Sequence, residues 1–523
     1  MRKLSWPAAS LLIAGCAGVQ AGGGGAAVGL AKGRFTPGPA PAANYGPDAA
    51  RTCPTAGVGD LLNFELESSS KQSGKAKANP EGRLCAVAGA LLGWEGTEVP
   101  EHVGRFISAH FGLVAPLTRV VIAVIESEDS KDLATRLAEP LVAFAPGAVN
   151  PRYGVASYRL RKDATKVALV MQDMVADVDP FPRRLAADGQ ASLGGKVFGA
   201  FENPKVLISD PQGRLETPAQ QPGKSFRAEA RCGGHAGRMH VEIRAEQGGQ
   251  EHTVGSFPVA CGGEEAQASV ATAAPAPPAG DAAAQGRATL DAINAERTAA
   301  GLKALSWSDD LAKVARSAAE GRREGAAVDL VAKLREADLT YPLVLENPAA
   351  ARTADEAHLR FSLSPSHRSN YMNPDVTHAG IGVATSPRGM IVCELFVKEL
   401  PAADTEGMRG KIREAVFQKR KDARAGPLVS DETLERVAQD YAREMSLAKG
   451  EVAKEKIDAV LKPVQGAFKS VHVISGAKAD PADFAEEPGI VGREGLVGVG
   501  VAQGQHPVLG RNALWVVIVL GAR

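Results

Sequence analysis

One short pattern occurs three times in this chain, and its spacing limits the fold more than any other feature. Leu84, Leu311 and Leu434 each open an L-x-x-V-A segment whose apolar residues share one helical face. Each is followed by glycine, an aliphatic residue and alanine: Gly154-Val155-Ala156, Gly382-Val383-Ala384 and Gly500-Val501-Ala502. The two signatures lie 70, 71 and 66 residues apart, and each glycine reads as a turn leading into an apolar strand. A helix and a strand at near-constant separation, three times over, predict one small α+β module duplicated. Only the middle copy carries polar motifs in between, Leu345-Glu346-Asn347 and Ser364-Pro365-Ser366-His367-Arg368, so chemistry is expected there.

The 523 residues suffice for three or four domains. Sixty basic residues balance sixty acidic ones without a long basic run, which argues against nucleic acid as a partner. At the N-terminus, Arg2 and Lys3 precede Leu11-Leu12-Ile13 and then Ala14-Gly15-Cys16, an export signal too short to span a bilayer. The Ile-Ala-Gly-Cys ending looks like a bacterial lipobox, which implies lipidation of Cys16. The membrane is then a partner through acyl chains alone. Ala17, not an aspartate, follows Cys16, and the placement expected is the outer membrane of the cell envelope. Export into an oxidising compartment permits disulfides. Parity within modules predicts Cys53–Cys85 and Cys232–Cys261, with Cys393 reduced in a central strand. The second bridge is worth about 3–4 kcal/mol by loop closure.

Composition and periodicity divide the chain further. After the signal peptide and lipobox (1–16), residues 17–50 are rich in Gly, Ala and Pro and read as a flexible tether. The first copy occupies 51–175. Over 176–262 the period changes to two: Phe226, Ala228 and Ala230 alternate with charged residues, as do Met239, Val241, Ile243 and Ala245. Such strands, with turns at Pro211-Gln212-Gly213 and Gly248-Gly249, predict an antiparallel β-sandwich of immunoglobulin-like size. His235, His240 and His252 read as solvated strand or turn residues. A Pro/Ala linker (263–287) precedes the middle copy (288–400), where Ser308 is the expected N-cap of the second helix. The last copy spans 405–523. Its run Leu514–Leu520 is too short for a membrane and reads as a buried strand.

The middle copy resembles a known family. Asn294-Ala295-Glu296-Arg297 with Gly301-Leu302, then Leu305-Ser306-Trp307, are similar to the opening of bacterial CAP-superfamily domains, also called SCP domains (cysteine-rich secretory, antigen-five and pathogenesis-related proteins). Leu345-Glu346-Asn347 resembles the family's G-E-N motif, Phe361-Ser362-Leu363-Ser364-Pro365-Ser366-His367-Arg368 its W-x-x-S-P-G-H-R, and Asn373–Gly382 its N-P-x-F-T-x-x-G-V-G. The resemblance implies a three-layer α-β-α sandwich and a cleft that gathers two histidines and two glutamates, in some members around a divalent metal. Carried over by position, Glu346 and His367 are the candidate catalytic or metal-ligating residues. The segment Ala318–Gly325 offers no histidine where the family usually has its first, and Leu345, Phe361 and Ser366 also depart from the pattern. Helical spacing alone does not place Glu356 or His358 in the site. Two ligands are too few for a tight metal site. The flanking copies lack both motifs and read as degenerate CAP-like domains.

The expectation is therefore an α+β multidomain protein with one well-matched and two degenerate CAP-like modules plus a β-sandwich. It is lipid-anchored and works by binding a protein, glycan or lipid ligand, without catalysis and without a cofactor. Glu346 and His367 are expected to hydrogen-bond each other or nearby backbone. The alternatives are a metal-assisted envelope hydrolase using those two residues, and a lipid or sterol carrier.

Overall fold

The structure is a computed structural model of the chain, and it describes residues 29–31, 33–38, 42–46, 57–74, 76–127, 129–217, 222–263, 269–271, 282–386, 389–478, 480–492 and 494–523. The signal segment with Cys16, most of the tether, Cys53 and most of the second linker lie outside the described residues.

Three four-stranded sheets repeat one topology. In the middle module the order is Ser306–Trp307, His378–Ser386, Gly389–Val397, Val344–Ala351. The short first strand runs parallel to its neighbour and the other pairs are antiparallel. The first module has the same order in Asn79–Pro80, Pro151–Arg161, Ala164–Asp173 and Arg119–Ile125. The last has it in Val429–Ser430, Leu496–His506, Gly510–Ala522 and Ser470–Ala477.

The repeated sequence pattern is a single contact in each module. The L-x-x-V-A segments lie in helices Gly82–Leu91, Asp309–Arg323 and Glu432–Leu447, and each crosses a strand at its glycines. A Cβ on Gly380 would stand 2.3 Å from the Ala312 nitrogen, and one on Gly382 2.0 Å from that of Arg316. The corresponding encounters are Gly154 with Leu84, Gly498 with Leu434 and Gly500 with Ala438, all at or below 2.2 Å. Four helical residues rise about 6 Å and two strand residues about 6.6 Å, so the two backbones can touch twice in register. This corrects the expected role of these glycines: they lie inside strands, not in turns. It also shifts the first copy by two residues, because Gly154 matches Gly380 and Gly498, with Ala156 where the others have a second glycine. The second helix of the middle module starts where its cap dictates, with the Ser308 hydroxyl accepting from Leu311 N–H at 3.3 Å.

Between the first two modules, residues 176–261 form two sheets around one core that includes Leu193, Phe226, Val241, Ile243 and Phe257. Ser225–Arg231 keeps the expected strict alternation of exposed and buried residues. One pair departs from an all-antiparallel sandwich, since Arg184–Leu185 runs parallel to Ala260–Cys261. A disulfide joins Cys232 to Cys261, with Cα atoms 5.7 Å apart. Cys85 is disulfide-bonded, and the expected partner Cys53 lies outside the described residues. His240 is buried, not solvated, and so is Glu242 on the same strand face, because the middle module packs over them.

The tether and linker also differ from the composition-based expectation. Gly29–Ala31, Arg34–Thr36 and Val270–Ala271 form a small sheet, and Asn44–Tyr45 pairs with Phe181–Pro182. Phe35 is fully buried beside Trp94, with ring centroids 5.6 Å apart. Tyr45 packs on Phe257 and donates to the Pro258 carbonyl at 2.6 Å. Two large rings in a Gly/Ala/Pro background are enough to pin the strand, an effect that averaged composition hides. Residues 42–46 bind the first module through Ala42 N–H to the His110 carbonyl, and the sandwich through the Ala43 carbonyl accepting from Arg183 N–H.

Candidate functional site

The motif Leu345-Glu346-Asn347 lies in strand Val344–Ala351, so adjacent residues point to opposite faces of the sheet. Glu346 pairs in register with Leu395, on the face covered by helix Asp309–Arg323. There its carboxylate meets Arg322 in a two-pronged ion pair, Nη1–Oε1 at 2.6 Å and Nη2–Oε2 at 2.9 Å. Arg322 Nη1 also donates to Cys393 Sγ at 3.1 Å. Cys393 is free and buried, and burial pushes its thiol up to about 11, against the pull of Arg322. Arg322 comes from the stretch Ala318–Gly325, where the family's first histidine was missing. A guanidinium therefore occupies the carboxylate that a metal would need.

Asn347 faces the other way and is fully buried. Its Nδ2 donates to Glu394 Oε2 at 3.0 Å and to the His367 carbonyl at 3.1 Å, while its Oδ1 accepts from Asn370 at 2.8 Å. It thus ties two strands to helix Pro365–Tyr371. Glu394 is fully buried, with His358 Nδ1 at 3.5 Å from its Oε1. That distance is an ion pair and not a hydrogen bond. Burial disfavours the charged imidazole, but the Glu394 carboxylate outweighs it and holds His358 above the usual histidine range. Glu356 is engaged elsewhere, with Arg352 and Arg360.

His367 lies against Phe361, ring centroids 5.2 Å apart, and its buried Nδ1 has no hydrogen-bond partner among the described residues. Burial lowers its affinity for a proton. It borders a recess of about 390 Å³ shared with Glu242 and Arg244 of the sandwich and Arg105 of the first module. Glu346 and His367 are thus not brought together. The imidazole–carboxylate convergence expected from the motifs is replaced by two separate environments, because strand parity turns Glu346 to one side of the sheet. The signal that could have shown this was in the sequence: a strand reading of Val344–Ala351 separates Glu346 from Asn347 by face.

The rest of the family motif is structural frame. Arg368 is buried, donates from Nε to Glu296 Oε1 at 2.9 Å, and reaches the sandwich through the carbonyls of Asp210 (2.7 Å) and Pro211 (3.0 Å). Tyr371 donates its hydroxyl to Glu296 Oε2 at 2.6 Å. Arg297 satisfies the carbonyls of Lys303, Tyr371 and Asn373. Ser364 donates to Glu242 and Ser366 accepts from Arg244, both at 3.0 Å, so Ser-Pro-Ser docks on the sandwich's ion pair. A divalent metal does not fit this arrangement. Glu346 is held by Arg322, His367 lies in a separate recess, and no cluster of three or more His, Cys, Asp or Glu suited to a metal is found among the described residues.

Residues 290–395 match the family model of the cysteine-rich secretory protein family, CAP. No curated protein matches the chain. Among solved structures the chain is similar to an extracellular protein containing an SCP domain from Bacillus anthracis, at 15% identity and a TM-score of 0.20 over 31% of this chain. It spans 64% of that protein's length. It is similar to a cysteine-rich secretory protein from Staphylococcus aureus at 13% identity and TM-score 0.21, over 52% of this chain and 93% of the other. It is also similar to an outer surface protein from Borrelia burgdorferi at 21% identity and TM-score 0.20, over 21% of this chain and 90% of the other. Motifs, sheet order and family model agree over residues 290–395, and the middle module matches the CAP family there.

Proposed function

We propose that this chain is an exported lipoprotein of the cell envelope, anchored at Cys16, in which a CAP domain acts by binding and not by catalysis. The observation that carries the reading is the two-pronged Arg322–Glu346 pair, which commits the motif glutamate to a guanidinium. The first and last modules, with the same sheet order and no second set of motifs, serve in this reading as degenerate copies kept for shape. The buried Cys232–Cys261 bridge supports export, since disulfides persist in oxidising compartments. No helix among the described residues is long and apolar enough to cross a membrane, and the proposed anchor is the acyl group on Cys16.

Zinc titration of the full chain tests the non-catalytic reading. Micromolar zinc is expected to leave the melting temperature within a degree of its starting value. A rise of several degrees in the wild type, abolished by Glu346→Ala, would restore the metal-assisted hydrolase. Anchoring is tested separately: Cys16→Ser should move the protein from the membrane pellet to the soluble fraction.

A further inference from the structure

A cleft of about 1740 Å³ lies where the first module, the sandwich and the CAP domain meet. Small-molecule pockets usually hold about 300–1,000 Å³, so this space suits a longer ligand. Nine arginines line it against four carboxylates, Glu98, Glu101, Asp355 and Glu356, in a chain whose charges balance overall. Arg105, Arg352 and Arg360 share Glu98, Glu101 and Glu356 among themselves. Arg322 and Arg323 pair with glutamates behind the wall, Glu346 and Glu324.

Three more arginines have no carboxylate partner among the described residues. Arg34 holds only the Ser269 hydroxyl and carbonyl, at 2.9 and 3.1 Å. Arg119 is exposed on a sheet-edge strand. Arg183 is the informative one, with 9% of its surface accessible. It stacks over Tyr45, donates one N–H to the Ala42 carbonyl at 2.9 Å, and leaves its buried Nε without an acceptor. A largely buried guanidinium with no carboxylate partner is costly, and Arg183 lines the cleft, where an anion can approach its open edge.

We propose that this three-module cleft binds an acidic glycan whose carboxylate or phosphate groups engage Arg34, Arg119 and Arg183. Guanidinium groups recognise either oxyanion through paired N–H donors. The four carboxylates in the same walls accept hydrogen bonds from sugar hydroxyls but repel a continuous polyphosphate backbone. Of the Phe and Tyr rings in its wall, Tyr45 and Phe257 are nearly inaccessible and only Phe106 is half-buried, so there is no row of rings on which successive nucleic-acid bases could stack. A chain with sparse acid groups among many hydroxyls matches both features.

The proposal rests on the binding reading but is tested apart from zinc. Fluorescently labelled oligogalacturonate, phosphorylated pentamannose, neutral maltooligosaccharide and oligo-dT would be titrated into the full chain by anisotropy. Saturable binding of one or both acidic glycans is expected, weakening at least tenfold between 50 and 500 mM salt, as estimated for several screened contacts. Whichever of the two binds more tightly identifies the oxyanion. Arg119→Glu, on the exposed edge, should weaken it about fivefold without moving the melting temperature, and adding Arg34→Glu should weaken it further. Arg183→Gln should abolish it, while Arg183→Lys, which keeps the charge, should retain part. Absence of binding by both acidic glycans, equal binding of the neutral sugar or of oligo-dT, or affinity untouched by Arg119→Glu with Arg34→Glu would overturn the site. Such an outcome leaves the zinc result, and with it the non-catalytic reading, unaffected.

Discussion

Glu346 sits beside Arg322 in a pocket that is neither exposed nor sealed, with 18% and 24% of the two side chains accessible. A partly buried, two-pronged pair of this kind should couple strongly. Removing either partner strands the other, and the two losses should not add. We expect Arg322→Ala and Glu346→Ala to share a coupling of about 1–3 kcal/mol in a double-mutant cycle on thermal unfolding of the full chain. The cycle between Glu346 and His367 should give about zero, since the sheet separates them. A coupling above about 1 kcal/mol between Glu346 and His367 would mean that the two motifs converge after all.

His358 supplies a pH signature at the same scale. Its neighbours Glu394, Glu296 and Asp355 favour the imidazolium and together outweigh burial, so its folded pKa lies above the unfolded value. A raised pKa gives stability that is fully present below the unfolded histidine value, near 6.5, and is lost as pH rises through the folded one. The wild type should therefore lose stability relative to His358→Gln as pH rises from about 6.5 upward. Parallel pH profiles for the two proteins would rule this contribution out.

At the scale of elements, the helix-over-strand contact is the unit that recurs in all three modules, and its glycines leave no space for a methyl group. Gly380→Ala should destabilise the CAP module by about 1–3 kcal/mol or more, because the atoms in the way belong to helix backbone and cannot rotate aside. Gly154→Ala and Gly498→Ala should have effects of the same size in their own modules. A neutral Gly380→Ala in denaturant unfolding would show that the helix can lift off the strand freely. This contact was legible in the sequence because small residues at a fixed offset from an apolar helix face mark a place where two backbones come close. Its register in the first copy was not, because matching Gly-Val-Ala by identity slid Gly154 onto Gly382. The site was less legible than the fold. A motif read residue by residue carries no face, and Glu346 next to Asn347 looks like one site until the strand is drawn. Arg322 is hidden for a related reason: the sequence shows that the histidine is missing, but which side chain reaches across to Glu346 depends on where the helix crosses the sheet.

At the scale of the whole molecule, polar clasps join the modules to each other. Arg360 of the CAP domain reaches Glu101 of the first module, Arg368 reaches the sandwich, and Thr340 donates to the His506 carbonyl of the last module. The strand at Asn44–Tyr45 adds a clasp whose sequence reads as tether. Replacing Tyr45 with alanine should remove the Phe257 contact and the bond to Pro258 together. Limited proteolysis should then cut between the first module and the sandwich several-fold faster than in the wild type. Unchanged cleavage would mean that the remaining contacts hold the two together without this strand.

That same N-terminal strap sets a leash length. With the proposed acyl anchor at Cys16 and regular pairing already present at Gly29, thirteen peptide units are left to span from membrane to body. Fully extended, they reach about 45 Å. A composition-based tether running to residue 50 would have let the protein sample far from its bilayer. Held by such an anchor, the strap would keep the molecule within about one domain's width of the surface, so that a ligand would have to come to the membrane or already be there.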